Sequence, residues 1–259
     1  MFKSRQLSVY EKNQLLKYSL KETELLTKSE LPVEYFTGFV TFKDLELKVN
    51  QNVLIPRVET EELVDLLINL VQLIKEPISY LEVGTGGGAI SLAFFDFLFK
   101  QKKIILEKFI LTDLSKEALD VAKENFSRLF KTTTFFNKVE FLQTNLLESF
   151  CHQKFNLIVA NLPYIPSKEI NKLDESVKNY EPLLALDGGK TGFELINKML
   201  EQILRKDLLS ENGRIFLEVF ETHNLSFIKE NFPNIYKEFS IKEFKDQFLR
   251  QRFLVLQKI

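Results

Sequence analysis

The sequence predicts an α/β fold organised around a mostly parallel β-sheet. From residue 78 onward, short apolar runs alternate with longer segments of helical periodicity. A glycine-rich turn at residues 82–88 follows the first apolar run, and two later runs end in Asp113 and Asn161. Strands that are separated by helices form parallel sheets whose two faces are both covered. We therefore expect one sheet with helices on both faces and polar residues at the carboxyl ends of its strands.

A smaller region precedes this alternation. Residues 1–30 are polar with scattered apolar positions, which suits one or two short amphipathic helices. Pro32 ends that pattern, and residues 35–49 alternate in a way that predicts a β-hairpin. The chain thus divides into a small helical and hairpin region at residues 1–50 and a larger domain at residues 51–259.

The larger domain begins with a helix. Thr60 is its predicted N-cap, because Glu61 and Glu62 follow in the first turn, where the helix dipole favours acids. The predicted strands are residues 78–83, 108–112, 139–143, 155–160, 214–219 and 252–257. The predicted later helices are residues 88–100, 115–130 (with Ser115 as N-cap), 193–208 and 223–231. We expect the last two strands to form an antiparallel pair at one end of the sheet.

The composition is ordinary for a globular protein and narrows the function. With 35 basic and 36 acidic side chains, the net charge of −1 gives no overall electrostatic reason to bind nucleic acid. The most apolar helical stretch, residues 89–99, contains Asp96 and is shorter than the roughly 20 residues that a membrane span needs. The first residues lack the apolar core of a signal peptide. These features predict a cytoplasmic protein without a membrane span.

The sequence has few residues that could bind a metal or form a disulfide, with one cysteine and two histidines. The single cysteine, Cys151, excludes an internal disulfide and any cysteine-built metal site. His223 follows Glu218 and Glu221, but a metal there would lack a third well-spaced ligand. We therefore expect no metal, and we expect His223 to lie at a solvated helix start.

The glycine-rich turn predicts a nucleoside site. Glycine lets the backbone adopt torsions that other residues resist, and it lets a ligand approach the main chain. Glu82 precedes the turn, and Asp113 ends the next strand, where a carboxylate can accept hydrogen bonds from both ribose hydroxyls. The lysine-ending phosphate loop is absent, so a nucleoside fits better than a triphosphate. The alternative is a tight strand-to-helix turn without a ligand.

The Asn-Leu-Pro-Tyr turn at residues 161–164 is suited to holding a planar NH2 group. An amide or aniline-like nitrogen is a poor nucleophile, because its lone pair is delocalised. The side-chain oxygen of Asn161 and the carbonyl of Leu162 can accept its hydrogen bonds, while Tyr164 packs against the plane. The alternative is an ordinary proline turn. Combined with the glycine turn, the motif predicts transfer of a methyl group to nitrogen.

These residues, in this order, resemble the class I S-adenosylmethionine-dependent methyltransferases. More closely, they resemble the protein-glutamine N5-methyltransferases that modify peptide chain release factors. The resemblance covers roughly residues 31–259. It is carried by residues 32–38 (PVEYFTG), 53–61 (VLIPRVETE), 82–88 (EVGTGGG), 161–164 (NLPY) and 180–189 (YEPLLALDGG). Each motif alone is weak, whereas the combination is specific.

The resemblance implies a Rossmann-like fold with a seven-stranded sheet and direct methyl transfer from S-adenosylmethionine, which leaves S-adenosylhomocysteine. The acceptor would be the glutamine of a Gly-Gly-Gln tripeptide in a release factor, docked by residues 1–50, and the enzyme would be a monomer without metal. It implies catalytic roles for Asn161 and Tyr164, substrate contacts from Asn161, Leu162, Pro163, Tyr164 and Glu181, and cofactor contacts from Arg57, Glu82, Gly84, Thr85, Gly86, Gly88, Asp113, Asn145 and Asn161.

The chain departs from the family pattern in three places. Leu162 stands where many members have proline, and Asn145 stands where the family often has aspartate. The N-terminal region is also short for the family. Three alternatives stay open: an adenine-N6 methyltransferase on RNA or DNA, a methyltransferase for a glutamine of a ribosomal protein, and a cofactor-binding scaffold without catalysis.

Overall fold

The computed structural model of the chain describes residues 5–22, 24–72, 74, 76–101, 105–131 and 136–259. Within these residues the main sheet has seven strands and is mostly parallel, with helices on both faces. The predicted α/β fold is confirmed. The spacing of 29 positions between Gly84 and Asp113 predicts a lengthened helix-to-strand connection around residues 101–107, of which residues 102–104 lie outside the described residues.

Strands and helices alternate through the larger domain, as the sequence predicts. The strands are β1 (Phe39–Phe42), β2 (Leu45–Lys48), β3 (Ile78–Val83), β4 (Leu106–Asp113), β5 (Val139–Gln143), β6 (Phe155–Ala160), β7 (Leu209–Glu218), β8 (Phe239–Lys245) and β9 (Gln251–Lys258). The helices are α1 (Val9–Lys17), α2 (Glu24–Thr27), α3 (Val33–Thr37), α4 (Val58–Val71), α5 (Ala89–Lys100), α6 (Lys116–Leu129), α7 (Glu175–Tyr180), α8 (Glu194–Lys206), α9 (Leu225–Asn231) and α10 (Pro233–Glu238). Short 3-10 helices lie at Phe136–Lys138, Ser167–Lys172 and Leu183–Ala185.

The strand order of the main sheet is β5-β4-β3-β6-β7-β9-β8. The five strands β3 to β7 pair parallel with one another, and β9 pairs antiparallel with both β7 and β8. The chain leaves β3 toward one edge and returns to build the other half from β6. Ligands of such sheets bind beyond the carboxyl ends of the strands at this switch point. A ligand site is therefore expected at the switch point between β3 and β6.

The two faces of the sheet belong to two hydrophobic clusters. Every residue of β3 is buried, as expected for a central strand covered on both sides. Tyr80 faces the side of α4, α5 and α6, where its ring stacks on Phe109 with centroids 4.2 Å apart. Leu81 faces the side of α8, α9 and α10. On α8 the buried residues Ile196, Met199, Leu200 and Ile203 follow the period of a helix with one apolar face.

The predicted N-terminal elements are present. The antiparallel pair β1–β2 confirms the hairpin, and Val40, Phe42 and Leu47 pack in the same cluster as α4 and α5. The helices α1 to α3 instead surround a small cluster of their own, which includes Leu15 and Leu26. None of the described helices is long and apolar enough to cross a membrane.

Two local predictions are wrong. Helix α4 begins after Arg57 rather than after Thr60, and Thr60 is a buried residue of the first turn whose hydroxyl contacts Glu218. The expected antiparallel pair of the last two strands is present, with Ile215 opposite Leu256. It does not end the sheet, because the strand β8, which the sequence did not predict, pairs with β9 and forms the edge.

Candidate active site

A cavity of about 300 Å³ lies at the carboxyl ends of β3, β4 and β6. This is the switch point of the sheet, and the volume falls at the lower end of the range for small-molecule sites, about 300 to 1,000 Å³. Its walls include most of the predicted site residues, namely Glu82, Gly84, Thr85, Gly86, Asp113, Asn145, Asn161, Leu162 and Pro163. The glycine turn and the Asn-Leu-Pro-Tyr turn thus border one cavity, although 77 positions separate Gly84 from Asn161 (161 − 84).

The glycine turn owes its shape to left-handed torsions. Gly84, Gly86 and Gly88 have φ angles of 74°, 54° and 88°. Such angles are strained for residues with a Cβ atom, which explains the glycines. A Cβ atom on Gly86 would meet nothing within 4 Å, so the main chain there is open to the cavity. Gly88 serves as the N-cap of α5 and is not part of the cavity wall.

Glu82 anchors the glycine turn from beneath. Its side chain is buried, and its carboxylate accepts hydrogen bonds from the hydroxyls of Thr85 and Ser91. Burial raises the pKa of Glu82 to about 7, although these hydroxyls favour the charged form. The carboxylate therefore ties the turn to the first helical turn of α5.

Asp113 connects the glycine turn to the end of β4. Its Oδ2 accepts a hydrogen bond from the backbone N–H of Gly86 at 2.8 Å, and its Oδ1 accepts one from Ser115 N–H at 2.9 Å. Burial raises the pKa of Asp113, while the backbone N–H groups favour its charged form. Asn145 lies on the cavity wall beyond β5, where its Nδ2 donates to Glu148 at 2.9 Å. Both side chains are placed where a nucleoside could meet them.

The Asn-Leu-Pro-Tyr turn closes the other side of the cavity. Asn161 directly follows β6, and its Nδ2 donates to the hydroxyl of Thr60 at 3.4 Å. Leu162 is buried against Gly84, so close that a Cβ atom on Gly84 would lie 2.8 Å from its Cδ2. The glycine at position 84 leaves room for leucine at position 162. The two turns are therefore in direct contact.

Tyr164 is not part of the wall of the main cavity. Its hydroxyl donates to the buried carboxylate of Glu218 at 2.9 Å. Its backbone carbonyl oxygen packs so closely on Gly192 that a Cβ atom on that glycine would lie only 2.2 Å from it. Burial is the main cause that raises the pKa of the Tyr164 hydroxyl, and the charge of Glu218 adds to it. The guanidinium of Arg252 lies 5.9 Å from the centre of the ring. Tyr164 is thus fixed at both its hydroxyl and its backbone.

Arg57 and Glu181 meet outside the main cavity. They form an ion pair in which the Glu181 side chain is 1% exposed, and both residues line a second cavity of about 330 Å³. That cavity is also bordered by Arg5, Tyr10 and Glu34 of the N-terminal region. The residue after Glu181, Pro182, lines the main cavity.

His223 is buried, so the prediction of a solvated helix start is wrong. One ring nitrogen accepts a hydrogen bond from Phe220 N–H at 3.2 Å, and the other lies 2.9 Å from the carbonyl of Thr191. Phe227 stacks on the ring with centroids 5.0 Å apart. Burial lowers the pKa of His223 and so favours the neutral ring. Among the described residues, no group of three or more histidine, cysteine or acidic side chains could hold a metal ion.

Sequence reasoning missed two residues that contact the candidate catalytic turn. Thr60 was predicted to be a helix cap, and Glu218 was considered only as one of two acids that precede His223. Both are buried, and their side chains hydrogen-bond to each other at 2.8 Å. A charged residue that ends the apolar run Ile215-Phe-Leu217 is unusual in a buried strand, and that signal could have singled out Glu218.

Comparisons with known proteins show which family the chain resembles. A family model described as a methyltransferase domain matches residues 74–249. A release factor glutamine methyltransferase of Lactococcus lactis is 36% identical over 207 residues, which is 80% of this chain and 70% of that protein. One of Streptococcus pneumoniae is 34% identical over 229 residues, 87% of this chain and 74% of that protein.

A solved structure shares the fold at lower identity. The ribosomal protein L11 methylase of Lactobacillus delbrueckii subsp. bulgaricus has a TM-score of 0.51, covers 78% of this chain and 80% of its own, and is 18% identical. This likeness concerns the architecture alone. The two relatives and the matched domain show that the chain, which has the class I methyltransferase fold, belongs to the release factor glutamine methyltransferase family.

Proposed function

We propose that this chain transfers a methyl group from S-adenosylmethionine to the side-chain amide nitrogen, N5, of the glutamine in the Gly-Gly-Gln tripeptide of a release factor. The observation that carries the proposal is the contact between the two turns: Asn161 and the glycine turn border one cavity. The names of the relatives support the substrate class. A release factor substrate places the reaction in the cytoplasm.

The residues of the cavity fit S-adenosylmethionine. The turn around Gly86 offers open main chain, and Asp113 offers a carboxylate at the end of β4 for the ribose hydroxyls. Asn145 lies on the wall where it can meet the adenine edge. Arg57 lines the second cavity instead, where it pairs with Glu181. When bound, S-adenosylmethionine supplies an electrophilic methyl group.

The chain itself has to orient a weak nucleophile. The Oδ1 atom of Asn161 and the carbonyl of Leu162 accept the two N–H bonds of the glutamine amide, which turns the nitrogen lone pair toward the methyl group. Tyr164 holds the turn that presents these acceptors. Acceptors fixed before the reaction stabilise the positive charge that develops on the nitrogen without reorganisation. The proton released from the amide nitrogen passes to solvent water.

The substrate protein has to be docked beside this cavity. Pro163 and Pro182 line the cavity, and Glu181, the residue before Pro182, is held by its ion pair with Arg57. We assign to Glu181 a contact with the substrate protein beside the cavity. Described residues of the N-terminal region, among them Arg5, Tyr10 and Glu34, border that pair across the second cavity. We assign the docking of the release factor to the region of residues 1–50.

The decisive assay measures transfer of labelled methyl from S-adenosylmethionine to purified release factor. A Gln→Ala variant of its Gly-Gly-Gln tripeptide serves as the matched acceptor, and total ribosomal RNA serves as a second acceptor. Label on the intact factor alone supports the proposal. Label on RNA alone overturns it in favour of adenine chemistry, and label on neither acceptor overturns it as well.

A further inference from the structure

Glu218 is a buried carboxylate that is not part of the cavity wall. It ends β7 and is 1% exposed. Its two oxygens accept hydrogen bonds from two different hydroxyls: Oε2 from Thr60 at 2.8 Å and Oε1 from Tyr164 at 2.9 Å. The donors come from α4 and from the turn after β6. One carboxylate therefore joins three segments of the chain behind the candidate catalytic turn.

The single proton of a hydroxyl fixes the direction of the next hydrogen bond. An ionised carboxylate can only accept hydrogen bonds, so the Thr60 hydroxyl must be the donor in its hydrogen bond with Glu218. Its oxygen then has only lone pairs left for Asn161, whose Nδ2 lies 3.4 Å away. An amide oxygen in that place would face the lone pairs and be repelled. The NH2 end of Asn161 is therefore held toward Thr60, and its Oδ1 end is turned away from it.

This direction is what the proposed chemistry requires. Thr60 and Asn161 both border the cavity, and no residue in the described part of the chain donates a hydrogen bond to Asn161 Oδ1. The oxygen thus stays available as an acceptor. If the amide were reversed, it would present a donor to the NH2 group of the substrate, and two donors do not bind each other.

The surroundings of Glu218 keep its carboxylate in place. Burial raises the pKa of Glu218, whereas the hydroxyls of Thr60 and Tyr164 and the charge of Arg252 favour the ionised form. The Arg252 side chain is 12% exposed, and its Nε lies 3.5 Å from Oδ2 of Asp246. A buried acid with two hydroxyl donors and a nearby cation meets the conditions under which proteins tolerate a buried charge.

We propose that Glu218 is a positioning residue that, through the hydroxyl of Thr60, sets which end of the Asn161 amide faces the substrate. The inference rests on the proposed role of Asn161 in methyl transfer. Glu218 touches neither substrate nor cofactor in this scheme. It acts by making Thr60 an acceptor toward Asn161, and it holds Tyr164 at the same time.

The test uses variants of nearly constant shape. Thr60→Val keeps the volume and removes the hydroxyl, Thr60→Ser keeps the hydroxyl, and Glu218→Gln replaces one acceptor oxygen with a donor. We expect Thr60→Val and Glu218→Gln to lower kcat about 100-fold, as for a misplaced reactive group, with the Kd of S-adenosylmethionine unchanged by calorimetry. Thr60→Ser should retain kcat within several-fold.

A matched control separates positioning from stability. Ser79 is buried, and its hydroxyl donates to the carbonyl of Lys154 at 3.0 Å, but it lies at the start of β3, opposite the cavity. Ser79→Ala should lower the melting temperature without lowering kcat. Thr60→Val and Glu218→Gln that stay folded and keep kcat within twofold of the wild type would overturn the proposal.

Two further measurements make the relay itself testable. If Glu218 acts through Thr60, Glu218→Gln should lower kcat less in a Thr60→Val background than in the wild type; fully multiplicative losses would overturn the relay. The NMR signal of the Asn161 side-chain NH2, assigned by its loss in Asn161→Asp, should shift in Thr60→Val and stay in place in Ser79→Ala. This signal needs no acceptor, so the relay can hold or fail independently of whether a release factor is the substrate.

Discussion

Arg57 and Glu181 form an ion pair across 124 positions of the chain, between the start of α4 and the loop after α7. The Glu181 carboxylate also accepts a hydrogen bond from Ile55 N–H at 3.3 Å. Burial raises the pKa of Glu181, although Arg57 opposes that shift. The pair therefore clamps the segment before α4 onto the segment that carries Pro182 to the cavity.

Removing one partner of this pair should destabilise the protein more than removing both. Arg57→Met leaves a buried carboxylate without its cation, and we expect a loss of about 1 to 3 kcal/mol in the free energy of unfolding. The double variant Arg57→Met/Glu181→Met should recover part of that loss, because apolar side chains can replace a buried pair. Urea denaturation measures both. A double variant less stable than Arg57→Met would contradict this account of the pair.

Asn161→Ala should abolish most turnover and leave cofactor binding nearly intact. The substitution removes an acceptor that is fixed before the reaction, and losses of this kind are about 100- to 1,000-fold in kcat. Asn156 is a matched control on the same strand: its side chain bridges Ser79 and Pro77 at the opposite end of β6. Asn156→Ala should keep kcat. Calorimetry that finds no cofactor binding in Asn161→Ala would count against the assigned role.

Asp113→Ala should weaken the binding of S-adenosylmethionine. Hydrogen bonds to a charged group contribute about 1.5 to 3 kcal/mol, which corresponds to a Kd about 10- to 100-fold higher. The hydrogen bond from Gly86 to Asp113 would also be lost, so the glycine turn should loosen. Asp96→Ala, on the exposed end of α5 where Asp96 pairs with Lys100, is the control and should not change the Kd. An unchanged Kd in Asp113→Ala would refute the ribose assignment.

Glu82 should make the folded protein less stable as the pH rises. Its pKa is about 7 in the folded chain against 4.5 as the usual value, so between these pH values the unfolded chain has lost a proton that the folded chain keeps. Stability therefore falls from about pH 4.5 to about pH 7. Glu82→Gln has no such proton, and its stability relative to the wild type should rise over this window by up to about 3 kcal/mol.

Urea denaturation at pH 5 and pH 8 measures this difference. Equal pH dependence of wild type and Glu82→Gln would show that Glu82 titrates normally in the folded chain.

Gly84→Ala should be destabilising by itself and should be partly rescued by a second substitution. The new Cβ atom would lie 2.8 Å from Leu162 Cδ2, and alanine at a φ of 74° adds backbone strain. Leu162→Ala removes the clash but not the strain, so the double variant should be more stable than the sum of the single effects predicts. Additive effects in thermal melts would mean that Leu162 moves aside freely.

The central part of the fold was predictable because its strands are short apolar runs and its helices have one apolar face. The strands β3 and β6 are buried on both sides, and their bounds match the prediction. The strand β8 was missed, because it lies at the edge of the sheet and has few buried residues. Its sequence, with Lys242, Glu243 and Lys245, therefore lacks a clear alternation of apolar and polar residues.

The site was predictable in its local motifs and not in its long-range contacts. The glycine turn and the Asn-Leu-Pro-Tyr turn are each a short continuous stretch of the sequence, so each turn could be predicted from its own residues. The partner of Thr60 is Glu218, 158 positions away, and the ring of His223 is covered by Phe193 and Phe227 from separate helices and loops. Tertiary contacts of this kind leave no periodic signal, which is why a cap and a solvated histidine were predicted in their place.

The position of β9 inside the sheet determines which strands meet the solvent at the open edges. One edge is β5 and the other is β8, which exposes Lys242, Glu243 and Lys245. On β5 the exposed residues include Glu140. Charged side chains along an edge strand oppose its pairing with another strand, because a second sheet would have to bury or crowd those charges. The charged side chains at both edges therefore oppose the addition of a strand from another chain, while the carboxyl ends of the parallel strands stay open to ligands.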